Sequence, residues 1–136
     1  MKKCRFYVFF TAVAISILCA IPACGNVNLG EEFSLSIGQM IVIADEDLEI
    51  TFVEVISDNR CARDVICITE GSVVCKMRVV QDESSFNIEL AQPGLFYDYS
   101  QRSFGGYIYT FQVVPYPESE KTISTDEYRI LLTINK

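Results

Sequence analysis

Six cysteines carry the most reactive side chains of this 136-residue chain, which contains no His and no Trp. Cys24 ends an N-terminal apolar segment, and Cys61, Cys67 and Cys75 lie in the region that follows. A thiol in such positions can accept a lipid, form a disulfide, bind a metal or act as a redox centre. The absence of His excludes serine triads, cysteine–histidine dyads and the usual zinc sites.

The first two dozen residues have the pattern of a targeting segment. A basic head, Met1 to Arg5, is followed by an uncharged apolar run from Phe6 to Ala20 and by a small residue, Ala23. A basic region, an apolar region and a small-residue cleavage site are typical of a secretory signal. The sequence therefore predicts a cleaved signal helix over residues 1–23 and an exported protein.

The segment Ile21-Pro22-Ala23-Cys24 resembles the lipobox of bacterial lipoproteins, in which a small residue precedes a cysteine. The resemblance implies that Cys24 is lipidated, becomes the new amino terminus and anchors the protein in a membrane of the cell envelope. One alternative is a soluble secreted protein cut after Ala23. Another is an uncleaved anchor, because the apolar run from Phe6 to Ala23 approaches the length that spans a bilayer.

Removal of the signal makes the chain more acidic. Three of the 11 basic residues are lost, which leaves 8 basic against 18 acidic residues and a net charge of −10. Such a domain is a poor ligand for nucleic acid and is repelled by anionic lipid head groups. The remaining residues suffice for one domain with its own hydrophobic core.

The apolar residues after position 32 recur with a period of two, as in half-buried β-strands. No window has the period of a long amphipathic helix, and Pro93-Gly94 and Gly105-Gly106 mark turns. Residues 33–136 are therefore predicted to be all-β, a single antiparallel sandwich or barrel of about seven to eight short strands. The Gly/Asn-rich stretch before them, residues 24–32, is predicted to be the lipidated Cys followed by a short tether.

Glu54 interrupts this alternation, because it falls on the side of its strand that should face the core. A buried lone carboxylate is costly. A bulge near Val53 would turn Glu54 outward. Otherwise Glu54 is paired, for which Arg60 and Arg63 lie nearby in sequence, or it is a functional acid.

The three cysteines after Cys24 can form only one internal disulfide, which export favours. Cys61 and Cys67 flank a polar, turn-rich segment, whereas Cys75 lies mid-strand on an apolar face. We predict that Cys61 and Cys67 pair as a structural staple, worth about 2–2.5 kcal/mol in the chain-entropy model. Cys75 is predicted to be a buried free thiol. Five intervening residues do not match the CxxC spacing of a redox centre.

The residues around this pair resemble a motif of small exported bacterial domains, D-S-R-C-P-x-D-V-x-C-I-W-x-G. Eight positions match it: Asp58, Arg60, Cys61, Asp64, Val65, Cys67, Ile68 and Gly71. Ala62 and Thr69 replace the Pro and the Trp. Members of that family are uncharacterised and often lipoproteins. The resemblance therefore implies export and the cysteine pair and supplies no activity.

Aromatic residues are concentrated in one part of the chain: eight of the twelve after Cys24 lie between positions 96 and 116. Such side chains can form a platform for sugar rings or for an apolar patch of a partner. The candidates are Tyr97, Tyr99, Phe104, Tyr107 and Tyr109. Alternatively, Tyr107 and Tyr109 belong to the core, and Tyr97 and Tyr99 cover a sheet edge.

Three short acidic runs, 31–32, 45–47 and 126–127, offer the oxygen ligands that Ca²⁺ prefers, but none has the spaced pattern of a calcium loop. They are predicted to be solvated turns, and neither a metal nor a cofactor is expected. A carboxylate pair could also serve a glycosidase, but no pair stands out.

These observations favour a non-enzymatic binding or interaction module that is held at a membrane by its lipid and contacts an envelope protein or glycan. One alternative is a small secreted protease inhibitor that presents segment 58–71, with Arg60 and Arg63 as its exposed basic residues. The other alternative is a carboxylate-dependent hydrolase of the envelope.

Overall fold

The alternating apolar stretches of the sequence form strands in the computed structural model, which describes residues 25–94 and 99–136. Within these residues the only helical element is a 3₁₀ turn, Thr125–Glu127. The described part of the chain has nine strands: β1, Gly25–Val27; β2, Glu32–Ser36; β3, Met40–Ile43; β4, Leu48–Asp58; β5, Ser72–Gln81; β6, Ser84–Pro93; β7, Ser100–Phe104; β8, Tyr107–Val114; and β9, Arg129–Asn135. The all-β prediction is confirmed, with slightly more strands than expected.

The strands form two sheets that pack face to face. A five-stranded sheet has the order β1-β3-β4-β5-β6, and a four-stranded sheet has the order β2-β9-β8-β7. Neighbouring strands are antiparallel except β1 and β3, which run parallel. Of the two architectures that the sequence left open, the sandwich is therefore the one formed.

The core lies between the sheets and is built from side chains at alternate strand positions. Its fully buried members include Ile50, Phe52, Val73, Cys75, Met77, Val79, Leu90, Tyr109, Phe111, Ile130, Leu132 and Ile134. Phe86 has the same strand parity as Ile88 and Leu90, yet it is 43% exposed. It packs edge-on against Phe104, with ring centroids 5.5 Å apart, where the two sheets meet at one side.

The two ends of the sandwich differ in composition. At one end, which we name the acidic end, the turns 44–47, 82–83 and 105–106 lie together through hydrogen bonds. These turns carry five acidic residues. At the other end, which we name the loop end, segment 59–71 joins β4 to β5. The candidate site lies at the loop end.

A bulge accounts for the position of Glu54. The register between β4 and β5 shifts between Phe52 and Glu54, and again between Val55 and Ser57. The extra residue turns the Glu54 side chain outward, where it pairs with Lys76 at 3.4 Å. The expectation of a bulge is confirmed, and the cation beside Glu54 comes from the neighbouring strand.

Residues 25–32 belong to the sandwich and do not form the tether that the sequence predicts. Gly25–Val27 pairs in parallel with Ile41–Ile43 of β3. Val27 and Leu29 pack against the core. The tether prediction is therefore wrong for these residues, because two apolar side chains and an open edge of β3 are enough to hold a Gly/Asn-rich stretch on the sheet.

The predicted signal peptide over residues 1–23 and the predicted lipid attachment at Cys24 lie outside the described residues, as does Tyr97. Export and lipidation therefore stay predictions. In the part of the chain that the structure describes, no helix has the length and apolar character needed to cross a bilayer.

The Tyr109 side chain is fully buried, and its hydroxyl finds no hydrogen-bond partner among the described residues. Burial raises the pKa of this hydroxyl to about 12. Leaving a buried polar group unsatisfied costs about 1–3 kcal/mol. We expect Tyr109→Phe to raise the free energy of unfolding by about 1 kcal/mol, measured by urea denaturation.

Tyr107→Phe is the matched control for Tyr109→Phe. The Tyr107 hydroxyl donates a 2.6 Å hydrogen bond to Glu46, so its removal is expected to destabilise the fold by about 1 kcal/mol. Destabilisation by Tyr109→Phe as well would show that the Tyr109 hydroxyl is satisfied in solution.

Candidate functional site

Segment 59–71 leaves and rejoins the sheet through a short ladder of hydrogen bonds. The amide of Asn59 donates to the Ser72 carbonyl at 3.0 Å, and the amide of Cys61 donates to the Glu70 carbonyl at 2.9 Å. The Asn59 side chain also accepts from the Ser72 amide at 2.8 Å. The base of the loop is therefore closed by main-chain pairing.

The predicted disulfide joins Cys61 to Cys67, with Cα atoms 5.9 Å apart. Cys61 is buried at the base of the loop, whereas Cys67 is exposed. Cys75 is a buried free thiol, and burial raises its pKa to about 12. Because the thiolate is the reactive form, Cys75 is an inert core residue. Both cysteine predictions are confirmed.

Arg60 lies inside the molecule, beneath the loop. Its guanidinium donates to both carboxylate oxygens of Asp58, from Nε at 2.8 Å and from Nη2 at 2.6 Å. It also reaches the other sheet, where Nη1 donates to the Val113 carbonyl at 2.9 Å and Nη2 to the Pro115 carbonyl at 3.0 Å. The prediction of an exposed Arg60 is wrong, because these acceptors satisfy the charge in the interior.

Asp58 is held between the two sheets. Burial alone would raise its pKa, but the hydrogen bonds and charge of Arg60 outweigh burial and hold the pKa below its ordinary value. The Tyr128 hydroxyl contributes by donating to Asp58 at 3.0 Å. The Asp and Arg of the sequence motif therefore form a structural ion pair that ties β4 to the ends of β8 and β9.

A second set of contacts holds the far side of the loop. Arg63 is exposed, pairs with Glu118, and its amide donates to the Pro117 carbonyl at 3.1 Å. Asp64 accepts hydrogen bonds from the amide and the hydroxyl of Ser119, which lower its pKa. The loop is therefore held by its base, by the disulfide and by segment 117–119.

The tip of this loop is an exposed apolar surface. We name Val65, Ile66 and Ile68 the apolar tip. The side chains of Ile66 and Ile68 are fully exposed, at 103% and 106%, and Val65 is exposed at 44%. No charged residue lies between positions 65 and 69. Ile66 and Ile68 are far more exposed than the other exposed isoleucines, Ile56 at 48% and Ile108 at 38%, and they lie close together in sequence, so they form an apolar patch.

The sequence interpretation missed this tip because it looked for charge in the loop. The signal was nevertheless present. Three aliphatic residues occur within a polar, turn-rich segment, and a disulfide prevents that segment from folding inward. An aliphatic residue in a loop closed by a disulfide has few ways to reach the core.

Of the five residues predicted to form an aromatic platform, the four that the structure describes do not share an exposed surface. Tyr107 is 6% exposed and belongs to the core with Tyr109, as the alternative reading of the sequence expected. Phe104 packs on Phe86. Tyr99 is exposed, but its hydroxyl donates to Glu32 at 2.6 Å. Tyr99 immediately precedes β7, and Glu32 begins β2 at the other edge of the four-stranded sheet, so this hydrogen bond engages the Tyr99 hydroxyl within the domain.

The acidic runs are used in local contacts. Glu46 accepts from Lys136 at 2.8 Å and from Tyr107, and these bonds lower its pKa. Glu127 caps the 3₁₀ turn through the amide and hydroxyl of Ser124. Among the described residues, no three Asp, Glu or Cys side chains come together as metal ligands.

Two open grooves flank the base of the loop. One, of about 430 Å³, runs along the last five residues of β4 and past Tyr128. The other, of about 330 Å³, lies between Arg63 and Lys121 and is floored by Pro115 and Tyr116. Open grooves bury little of a small ligand, in contrast to an enclosed cleft. This end of the molecule is therefore better suited to contact a large surface.

The fold and the site define the chain as a two-sheet β-sandwich with a disulfide-closed loop at one end. Comparison with protein-family models, curated proteins and solved structures finds no match to this chain. The resemblance to small exported domains with the D-S-R-C motif therefore stays a prediction, and the loop itself is the feature of the structure that bears on function.

Proposed function

We propose that this protein is an exported, lipid-anchored binding module without enzymatic activity, and that the apolar tip is its binding element. The observation that carries this proposal is the full exposure of Ile66 and Ile68 on a loop held in place at three points. The parts of the proposal that concern export and the lipid at Cys24 are predictions from the sequence.

The exposed isoleucines contribute little to folding, because side chains that stay in water gain no burial energy. Burying one Ile side chain against a partner is worth about 1.5–3 kcal/mol. A loop that is already ordered loses little conformational entropy on binding, so more of this energy appears as affinity. A rigid loop with bare apolar side chains therefore suits binding better than folding.

The inhibitor alternative is supported by one feature, an exposed loop closed by a disulfide. The two arginines that the sequence predicts as contact residues do not suit this role, however, because Arg60 is buried and Arg63 is paired with Glu118. An inhibitor would therefore present Ile66 and Ile68 to the protease. The hydrolase alternative has less support, because Glu46, Asp58 and Asp64 each engage structural partners.

The double variant Ile66→Ser/Ile68→Ser tests the proposal. Binding of the full-length protein to envelope vesicles and to detergent-extracted envelope proteins is measured by biolayer interferometry. We expect binding to fall at least about tenfold, since even one buried Ile is worth that much. Stability should change by less than about 0.5 kcal/mol, because both residues are exposed.

Ile108→Ser is the matched control, because Ile108 is 38% exposed on β8, towards the acidic end. It should bind as the wild type does. Unchanged binding by the double variant would refute the proposal. Inhibition of an envelope protease that is lost in the double variant would instead support the inhibitor.

A further inference from the structure

The first strand and the loop are oriented towards the same end of the sandwich. Gly25 of β1 pairs with Ile41 of β3, which in turn pairs with Ile50 of β4. Because β1 is parallel to β3 and antiparallel to β4, the chain enters β1 from the end towards which β4 runs. That end is the loop end. Cys24 immediately precedes this strand in sequence.

The register gives the distance between these two features. Ile50 pairs with Val79, and Asp58 pairs with Val73, so six residues of β5 separate the level of Gly25 from the base of the loop. At about 3.3 Å per residue this is about 20 Å along the strands, and two strand spacings add about 10 Å sideways. A line from Gly25 to the base of the loop therefore makes an angle of about 30° with the strands.

The surface near this line carries an exposed aliphatic residue and one ion pair, between Glu54 and Lys76, whose charges compensate each other. Ile56, which is 48% exposed, lies on the part of β4 beyond its pairing with β3. The apolar tip follows further on. The five acidic residues of turns 44–47 and 82–83 lie at the acidic end, on the far side of Gly25 from the apolar tip. The loop end is therefore better suited than the acidic end to contact the apolar interior of a lipid bilayer.

We infer that the apolar tip docks into the lipid bilayer to which the chain is anchored. The inference rests on the proposed function, including the predicted lipid at Cys24. Because residues 25–32 are part of the sandwich, an anchor at Cys24 has no tether and holds the sandwich itself against the membrane. The sandwich then lies inclined on the bilayer, with Ile66 and Ile68 among the lipid chains.

The chemistry of the loop specifies the kind of bilayer. Each Ile side chain that moves from water into hydrocarbon favours insertion of the loop tip into the bilayer by about 10- to 100-fold. Asp64 and Glu70 flank the tip, and the domain as a whole is acidic. Zwitterionic lipids are therefore preferred, and anionic lipids weaken docking in a manner that salt relieves.

The absence of Trp from the chain allows a direct test. Ile66→Trp places a single fluorophore at the tip, and Ile108→Trp places one towards the acidic end as a control. The full-length proteins are purified from membranes and reconstituted into phosphatidylcholine vesicles with brominated acyl chains. We expect blue-shifted, strongly quenched emission from Ile66→Trp, unquenched emission from Ile108→Trp, and weaker quenching when phosphatidylglycerol is added.

Equal emission from the two variants would overturn the membrane inference. A response of Ile66→Trp to added envelope protein, but not to lipid, would also overturn it and would leave the proposed function standing with a protein partner. If the tip responds to neither, and the double Ser variant binds as the wild type does, both the inference and the proposed function fail.

Discussion

We expect Arg60→Leu to lower the free energy of unfolding by about 3–5 kcal/mol. The substitution leaves the Asp58 carboxylate in the interior without its cation. It also leaves the carbonyls of Val113 and Pro115 without their donor. Breaking one side of a buried ion pair is far more costly than replacing both sides, and urea denaturation with a constant m-value measures the loss.

Arg63→Leu is the control, since it makes the same change three residues away on the surface. Arg63 pairs with Glu118 in solvent, and such pairs contribute about 0–1 kcal/mol. Asp58→Asn/Arg60→Leu completes a double-mutant cycle and should be less destabilising than the two single variants added together. Equal losses for Arg60→Leu and Arg63→Leu would mean that the interior pair is not formed.

The same ion pair predicts a dependence on pH. The pKa of Asp58 is lower in the folded protein than its ordinary value, because Arg60 outweighs the opposing effect of burial. Such a group stabilises the fold above its unfolded pKa, about 3.9, and this contribution is lost as pH falls through the folded value. The stability difference between wild type and Asp58→Asn should therefore narrow below about pH 4.

Gly71→Ala is expected to be comparably severe. Gly71 has a φ of +66°, and a Cβ there would stand 1.9 Å from the carbonyl oxygen of Asn59. The left-handed conformation alone costs a non-glycine residue about 1–2 kcal/mol. Because the Asn59 carbonyl belongs to main chain at the base of the loop, the loop must move as well. We expect Gly71→Ala to lower the free energy of unfolding by about 3 kcal/mol in total, measured by thermal or urea unfolding.

Gly38→Ala separates these two effects. Gly38 has a φ of +85°, but a Cβ there meets nothing within 4 Å. Gly38→Ala should therefore lower the free energy of unfolding only by the conformational cost of about 1–2 kcal/mol. If Gly71→Ala costs no more than Gly38→Ala, the close approach between Gly71 and Asn59 is not maintained in solution.

Features that depend on local pattern could be predicted from the sequence. Alternation located most of the strands, and it placed Cys75 on a buried face. The same alternation exposed the conflict at Glu54, which a bulge resolves. The pairing of Cys61 with Cys67 followed from their position on either side of a turn-rich segment.

Features that depend on distant partners could not be predicted. Arg60 is buried because its acceptors, the carbonyls of Val113 and Pro115, lie 53 and 55 residues away. Nothing in the local sequence indicates them. The parallel pairing of β1 with β3 covers three residues, too few to show a period. The apolar tip became evident only when the contacts that prevent Ile66 and Ile68 from turning inward were known.

The disulfide has a consequence for proteolysis. Exposed loop tips are preferred sites of cleavage. The peptide bonds from Cys61 to Cys67 lie within the ring that the disulfide closes, so a cut there leaves the two new ends covalently joined. A cut after Ile68 falls outside the ring and opens the loop. A protease acting on this protein would thus leave the chain in one covalent piece after a cut within the ring, and would divide it into two parts after a cut only a few residues away.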